Sequence, residues 1–191
     1  MPKRLTEITI LGRGGQGAWT ASIILAKAVL KDGKYAQSFP EFGPERSGAP
    51  VKAYVRVSEF PITIRAGITK ADYIIVIDQT LLPRAIPAVK EDGTIVTTFS
   101  GKPEEIRGIL KDFKGTIWHV NAFKIGLDII GKPITNTAML GAFVKATEGK
   151  IASLNSLLEA IKEILSEKLR EDIVAKNLEA AKKAYEEVKK L

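Results

Sequence analysis

The run Gly12-Arg13-Gly14-Gly15-Gln16-Gly17 has the spacing G-x-G-x-x-G and lies between an apolar stretch and an amphipathic one. Glycines at those intervals permit a tight turn and let backbone amides approach an anion. A helix starting behind them adds unpaired N–H groups and about half a positive charge at its first turn. Arg13 can bring a full charge to a phosphate. Gln16 can offer an amide to a ribose, a carbonyl or a neighbouring backbone group. A dinucleotide needs one more group, an acid at the end of the second strand to hold a ribose. That strand reads Tyr35-Ala36-Gln37-Ser38-Phe39, with Asp32 before it and Glu41 after it. Ordinary NAD binding is therefore disfavoured. Two readings of the turn remain. It receives an anion, a coenzyme tail or a partner loop, or its glycines only let strand and helix pack closely.

The second unusual segment runs from Pro40 to Pro50 and holds three prolines and two glycines. Such a composition marks a defined, non-repetitive loop. Placed after a strand's carboxyl end, it lies near the crevice where α/β proteins take ligands. Glu45 and Arg46 in its middle can pair with each other, or reach a ligand or a subunit; Ser47 and Gly48 follow them. Asp78 ends a buried apolar run, where an acid either caps the next turn or touches a ligand, and capping is favoured. His119 sits beside Trp118 and reads as a satisfied, half-buried residue. Asn136 and Thr137 open a helix, which N-capping explains.

Composition removes other chemistry. Among 191 residues there is no cysteine and one histidine. Disulfides, thiol catalysis, thiolate-held zinc and iron–sulfur ligation by this chain are excluded, as is any multi-histidine metal site. The net charge of +7 favours anionic partners. It is spread along the chain with no aromatic–basic cluster, so nucleic acid is not the expected partner. The basic N-terminus lacks a following apolar segment and no window is long enough to span a bilayer. The chain is expected to be soluble and cytoplasmic, with no membrane partner. Frequent Lys and Glu with no Cys resemble thermophile usage.

The elements that must position these residues follow from periodicity. Strands are expected at Glu7–Leu11, Tyr35–Phe39, Val51–Val57, Tyr73–Ile77, Thr94–Phe99 and Thr116–Val120. Val51–Val57 alternates Val51, Ala53, Val55 and Val57 against Lys52, Tyr54 and Arg56, which implies one wetter face. Helices are expected over Thr20–Leu30, Glu104–Asp112, Asn121–Ile130 and Thr137–Thr147. Leu81–Val89 is broken into pieces by Pro83 and Pro87. The order is mostly strand–helix, so the fold class is α/β: a Rossmann-like, mostly parallel sheet flanked by helices. From Ser153 the character changes to a helical pair, the second capped by Ser166 and ending in a frayed tail. The expectation is a single unit over 1–191, with an α/β core at 1–150. The helices at 151–191 then pack on that core or on a partner subunit.

At both glycine- and proline-rich segments the sequence resembles the gamma subunit of archaeal and thermophilic pyruvate/2-oxoacid:ferredoxin oxidoreductases. The residues carrying the resemblance are Gly12 to Gly17, Phe39-Pro-Glu-Phe-Gly-Pro-Glu-Arg-Ser-Gly-Ala-Pro-Val51, and Asn136-Thr-Ala-Met-Leu-Gly-Ala-Phe143. It covers nearly the whole chain. The resemblance implies a complex of alpha, beta, gamma and delta chains. That complex converts a 2-oxoacid and coenzyme A to an acyl-CoA and carbon dioxide while reducing ferredoxin. It implies thiamine diphosphate with magnesium in alpha and beta, and iron–sulfur clusters in beta and delta. For this chain it implies a contribution to assembly and to coenzyme A handling, and an interface role for Asn136. The residues agree with such a division: no thiolates, and no Gly-Asp-Gly for a diphosphate-holding metal. The chain is expected to carry no catalytic residue and to be inactive alone. The alternative is a stand-alone nucleotide-binding oxidoreductase domain.

Overall fold

The computed structural model describes residues 5–41 and 48–191. Seven strands form one sheet in the order β2-β3-β1-β4-β5-β6-β7. They are β1 (Thr6–Arg13), β2 (Tyr35–Pro40), β3 (Pro50–Ser58), β4 (Ala71–Val76), β5 (Val89–Thr98), β6 (Thr116–Val120) and β7 (Lys189–Lys190). The four central strands β1, β4, β5 and β6 are mutually parallel. Both edges are antiparallel, with β3 against β1, β2 against β3, and β7 against β6. The mostly parallel sheet expected from the strand–helix order is thus present, parallel at its centre and antiparallel at both rims. For β2 and β3 the physical reason is the short connection from Pro40 to Pro50, which cannot make the crossover of a dozen or more residues that a parallel neighbour requires.

The central strands are apolar on both faces because both are covered. Along β4 and its end, Ile75 and Ile77 face one core while Ile74 and Val76 face the other. The first core is closed by four helices: α1 (Ala18–Lys31), α4 (Asn136–Ala146), α5 (Leu154–Ser166) and α6 (Glu171–Glu187). The second is closed by the short α2 (Pro103–Ile109) and the 3₁₀ turns at Gln79–Arg84 and Ile86–Ala88. Pro83 and Pro87 do break the Leu81–Val89 stretch as their missing N–H groups require. Helices α5 and α6 share the sheet's own core, and Lys27 and Lys31 of α1 pair with Glu163 of α5 at 2.6 and 3.2 Å.

Four local expectations are corrected. Ser166 ends α5 instead of capping α6, which starts after Arg170. The tail is not frayed, because Lys189 and Lys190 pair with His119 and Trp118 on β6. Asn121–Ile130 is not one α-helix: α3 (Ala122–Ile125) runs into a π-turn at Gly126–Ile130. The face of β3 read as wetter is buried, with Tyr54 and Arg56 5% and 1% exposed. The Arg56 guanidinium is satisfied there by Glu7 at 3.1 Å, Gln37 at 3.3 Å and the carbonyl of Ala66 at 2.5 Å, and stacks on Phe39.

Candidate functional site

The chain leaves β1 through α1 toward β2 and β3 on one side, while β4, β5 and β6 lie on the other. The carboxyl ends of β1 and β4 therefore flank a reversal of direction, the place where open α/β sheets form a crevice. The glycine turn rises from the end of β1. Gly12 is buried in the strand, and a Cβ there would lie 2.6 Å from the Ile77 side chain. Gly17 caps α1 with φ +81°, and a Cβ on it would meet Nδ2 of Asn136 at 2.5 Å. Glycine at both positions answers to close packing, and at Gly17 also to a left-handed backbone. Gly15 is the exposed tip of the turn.

Much of the turn's polar capacity is used internally. Gly14 N–H donates to the Ala49 carbonyl at 2.8 Å, and Gly48 N–H donates back to the Gly14 carbonyl at 3.1 Å. The turn and the end of the proline-rich loop are thus one ledge. Gln16 spans it: Oε1 accepts from the Arg13 N–H at 2.8 Å, and Nε2 donates to Asp78 Oδ2 at 2.7 Å. Arg13 donates to Thr80 Oγ1 at 2.8 Å and to the Gly48 carbonyl at 3.0 Å, and lies 3.4 Å from Asp78. Glu45, Arg46 and Ser47 lie outside the described residues.

Asp78 ties the two sides of the crevice together. It caps the 3₁₀ turn, accepting from Thr80 N–H at 2.9 Å and Thr80 Oγ1 at 2.6 Å besides Gln16, with the Arg13 guanidinium paired at 3.4 Å. Burial alone would raise its pKa, but the hydrogen bonds from Thr80 and Gln16 and the Arg13 charge outweigh it and hold the carboxyl below its usual value. The capping role expected of Asp78 is present, and it is only half of what the residue does. His119 is pushed below its ordinary pKa by burial and by Lys189.

Asn136 is buried in the first turn of α4. Its Oδ1 accepts from Thr137 N–H at 2.9 Å, and its Nδ2 donates to the Gly17 carbonyl at 3.5 Å. The cap position itself belongs to Thr135, whose hydroxyl donates instead to the Ile77 carbonyl at 2.7 Å. Asn136 is thereby brought beside the glycine turn, as a packing partner of Gly17. Between Gln16, Asp78, Thr98, Phe123 and Thr135 opens a cleft of about 340 Å³. Thr98 and Thr135 in its wall were not singled out by the sequence, since a threonine at a strand end or before a helix carries no distinguishing pattern. No group of three or more potential metal ligands occurs among the described residues. No helix among them is long and apolar enough to cross a membrane.

Comparison with known proteins follows this geometry. The family model described as pyruvate ferredoxin/flavodoxin oxidoreductase matches residues 7–187. Pyruvate synthase subunit PorC of Methanothermobacter thermautotrophicus is 43% identical over 192 residues, covering 98% of each chain. The pyruvate/ketoisovalerate oxidoreductases common subunit gamma of Thermococcus kodakarensis is 44% identical over 95% of this chain and 96% of its own. The crystal structure of pyruvate oxidoreductase subunit PORC from Thermotoga maritima superposes with a TM-score of 0.84 at 36% identity, covering 98% of this chain and 99% of that one. A 2-oxoglutarate:ferredoxin oxidoreductase from Magnetococcus marinus, solved with 2-oxoglutarate, coenzyme A and succinyl-CoA bound, shares the fold over 30% of its chain. Its TM-score is 0.75 at 22% identity.

Proposed function

The chain belongs to the pyruvate ferredoxin/flavodoxin oxidoreductase family, and on that premise we propose that it is the gamma subunit of a heteromeric 2-oxoacid:ferredoxin oxidoreductase. The observation that carries this is likeness along almost the whole length to subunits of such enzymes, 98% of both chains in one case. The complex would convert pyruvate or a related 2-oxoacid, with coenzyme A, to an acyl-CoA and carbon dioxide while reducing ferredoxin. Thiamine diphosphate, magnesium and the iron–sulfur clusters would belong to the alpha, beta and delta partners. A chain without cysteine cannot hold a cluster through thiolates. The whole of 1–191 acts as one unit, in the cytoplasm, and contributes assembly and coenzyme A-side contacts. Relatives named as a common subunit support a gamma chain shared between complexes.

Within that role, Gly12 to Gly17 and Gly48 form a ledge for a partner subunit, with Asn136 packed behind it. Arg13 supports this reading over phosphate capture, because its guanidinium is already engaged by Asp78, Thr80 and the Gly48 carbonyl. The segment Glu45-Arg46-Ser47, which lies outside the described residues, joins that contact as part of the proposal. Three prolines stiffen the loop, so little entropy is lost when it engages. A stand-alone dehydrogenase is disfavoured: the acid available at the crevice, Asp78, already accepts from Gln16 and Thr80.

Arg46→Ala in the assembled complex tests the assignment. A subunit contact predicts a salt-sensitive loss of assembly in sizing experiments, with the coenzyme A KM little changed. A coenzyme A contact predicts an intact complex with a KM raised about tenfold, the equivalent of one charge-assisted bond. Unchanged assembly with unchanged kinetics removes Arg46 from the functional surface.

A further inference from the structure

The β2 flank of the molecule exposes apolar side chains and unpaired backbone together. β2 ends the sheet, paired with β3 on one side and with no strand on the other among the described residues. Glu41 N–H donates to the Lys52 carbonyl at 3.0 Å, in register with the ladder. By the alternation of an antiparallel pair, Tyr35, Gln37 and Phe39 then bond to β3, while Ala36 and Ser38 point their N–H and C=O groups outward. Edge strands are ordinarily blunted by charge, bulge or proline. The strand Tyr-Ala-Gln-Ser-Phe-Pro has no charge and an unbroken register, and only Pro40 blunts it, at one end. On one face beside that edge lies α1. Ser22 reaches β2 through the Ser38 hydroxyl at 2.9 Å, and Lys27 and Lys31 reach Glu163 of α5. Helical spacing puts Trp19, Ile23 and Leu30 on the stripe between those contacts, turned away from the domain, with Trp19 43% and Leu30 52% exposed. On the other face Tyr35 is 45% exposed. Arg56 Nη1 donates there to Gln37 Oε1 at 3.3 Å and to the Ile64 carbonyl at 3.4 Å, which lays the half-exposed Ile64 beside the same strand.

We propose that this flank is the contact between two copies of the chain, joined β2 to β2 about a two-fold axis at Gln37 into one continuous sheet. An antiparallel edge is complementary to itself under such an axis: Ala36 of one copy lies opposite Ser38 of the other, and each outward N–H finds a C=O. The same axis sets the two α1 helices antiparallel, so Trp19 of one copy packs against Leu30 of the other. Charge selects a second copy as the occupant. A chain of net charge +7 repels itself wherever its lysines are free. On this flank they are not: β2 has none, Lys27 and Lys31 pair with Glu163 and Glu159 at 2.6 to 3.4 Å, and Lys34 donates to the Lys150 carbonyl at 2.5 Å. Area agrees. Taking about half of what each of Trp19, Leu30, Tyr35 and Ile64 can bury gives roughly 400 Å² of apolar surface per copy, a size that marks an interaction site on a monomer. The strand edge and the polar atoms around it bring the contact toward the roughly 800 Å² per partner of a stable interface. The inference goes beyond the subunit assignment and does not rest on it, since pairing of the chain with itself is read on the chain alone.

The test is size-exclusion chromatography with light scattering on the full chain, from about 1 to 100 μM, and a monomer–dimer equilibrium is the expected result. Tyr35→Lys places like charges along the edge and should weaken the dimer by about tenfold or more. Trp19→Lys and Leu30→Glu should each weaken it by a similar factor. An equal mixture of those two variants should recover it, because the introduced lysine of one copy then meets the introduced glutamate of the other, and the remaining Trp19 meets the remaining Leu30. All three side chains are about half exposed, so the fold survives each change, which circular dichroism checks. The proposal is overturned if the chain is monomeric throughout that range, or if Tyr35→Lys dimerises as the parent does. It is equally overturned if the mixed variants associate no better than either alone.

Discussion

Replacing Gln16 by Glu probes the crevice with almost no change in shape. Oε1 keeps its bond from the Arg13 N–H, but the Nε2 donor that sits 2.7 Å from Asp78 Oδ2 becomes a carboxylate oxygen. A hydrogen bond to a charged acceptor, worth about 1.5–3 kcal/mol, is lost. Two like charges at that separation add about 6 kcal/mol at an effective dielectric constant near 20. The protein escapes the full sum by taking up a proton, as carboxylate pairs do. That route restores an O–H···O bond, and at pH 7 it costs about 1.4 kcal/mol for each of the roughly 2.7 pH units above a glutamate's ordinary value, or about 4 kcal/mol. At pH 5 the same route costs about 1 kcal/mol.

Gln16→Glu should therefore lose about 2–4 kcal/mol at pH 7 and about 1 kcal/mol at pH 5, measured as paired urea-unfolding curves at each pH. In melting temperature this is about 5–15 °C at pH 7, shrinking to a few degrees at pH 5. The sign is set by the pair. One carboxyl of the variant has a raised pKa in the folded state, so its contribution is full in acid and is lost as pH rises through that value. Asp78 in the parent has a lowered pKa, so its contribution is present above an ordinary aspartate value and falls away only in stronger acid. The parent contributes no opposing slope from this residue between pH 5 and 7. Gln16→Leu removes the donor without adding charge and should show a loss that does not vary over that interval. A Gln16→Glu deficit that is the same at pH 5 and pH 7 would refute the contact between Gln16 and Asp78.

Two further outcomes concern groups away from the crevice. Arg56→Met keeps the side chain's stem but strips its bonds to Glu7, Gln37 and the Ala66 carbonyl; a loss of about 3 kcal/mol is expected, with faster tryptic cutting at Arg65 and Lys70 as the segment after β3 is freed. His119 has a lowered folded-state pKa, so its contribution is complete above an ordinary histidine value and is lost as pH falls from about 6.5 through the folded value; His119→Gln should flatten that part of the stability–pH profile, and an unchanged profile would show that His119 is not its source.

The sequence resolves what is local and periodic. A continuous apolar run locates β4 because both faces of that strand are covered, and the glycine spacing locates the turn because close packing against Ile77 and Asn136 admits no Cβ at Gly12 or Gly17. It misreads β3 because alternation reports polarity, and an arginine satisfied by a carboxylate, an amide and a carbonyl is polar and buried at once. It misses the tail strand because two lysines carry no strand pattern; the free edge of β6 selects them. In the crevice, Arg13, Gln16, Asp78 and Thr80 come from two loops that are separated by six tens of residues, and nothing in their spacing announces that they meet.

The state of the crevice bears on where the chemistry of the complex resides. A general acid or base needs a proton that moves near the working pH. Asp78 is held ionised by donors from both loops, and the single histidine is held toward its neutral form by burial and Lys189. Both shifts favour a fixed form near pH 7, ionised for Asp78 and neutral for His119, and the chain has no thiol. What these saturated bonds do supply is rigidity. A ledge whose amide at Gly14, guanidinium at Arg13 and amide side chain at Gln16 are already bonded loses little freedom on docking, so more of the contact energy survives as affinity. That is the property the proposed subunit contact would use: the polar groups of the turn are committed inward, and the tip at Gly15 is exposed.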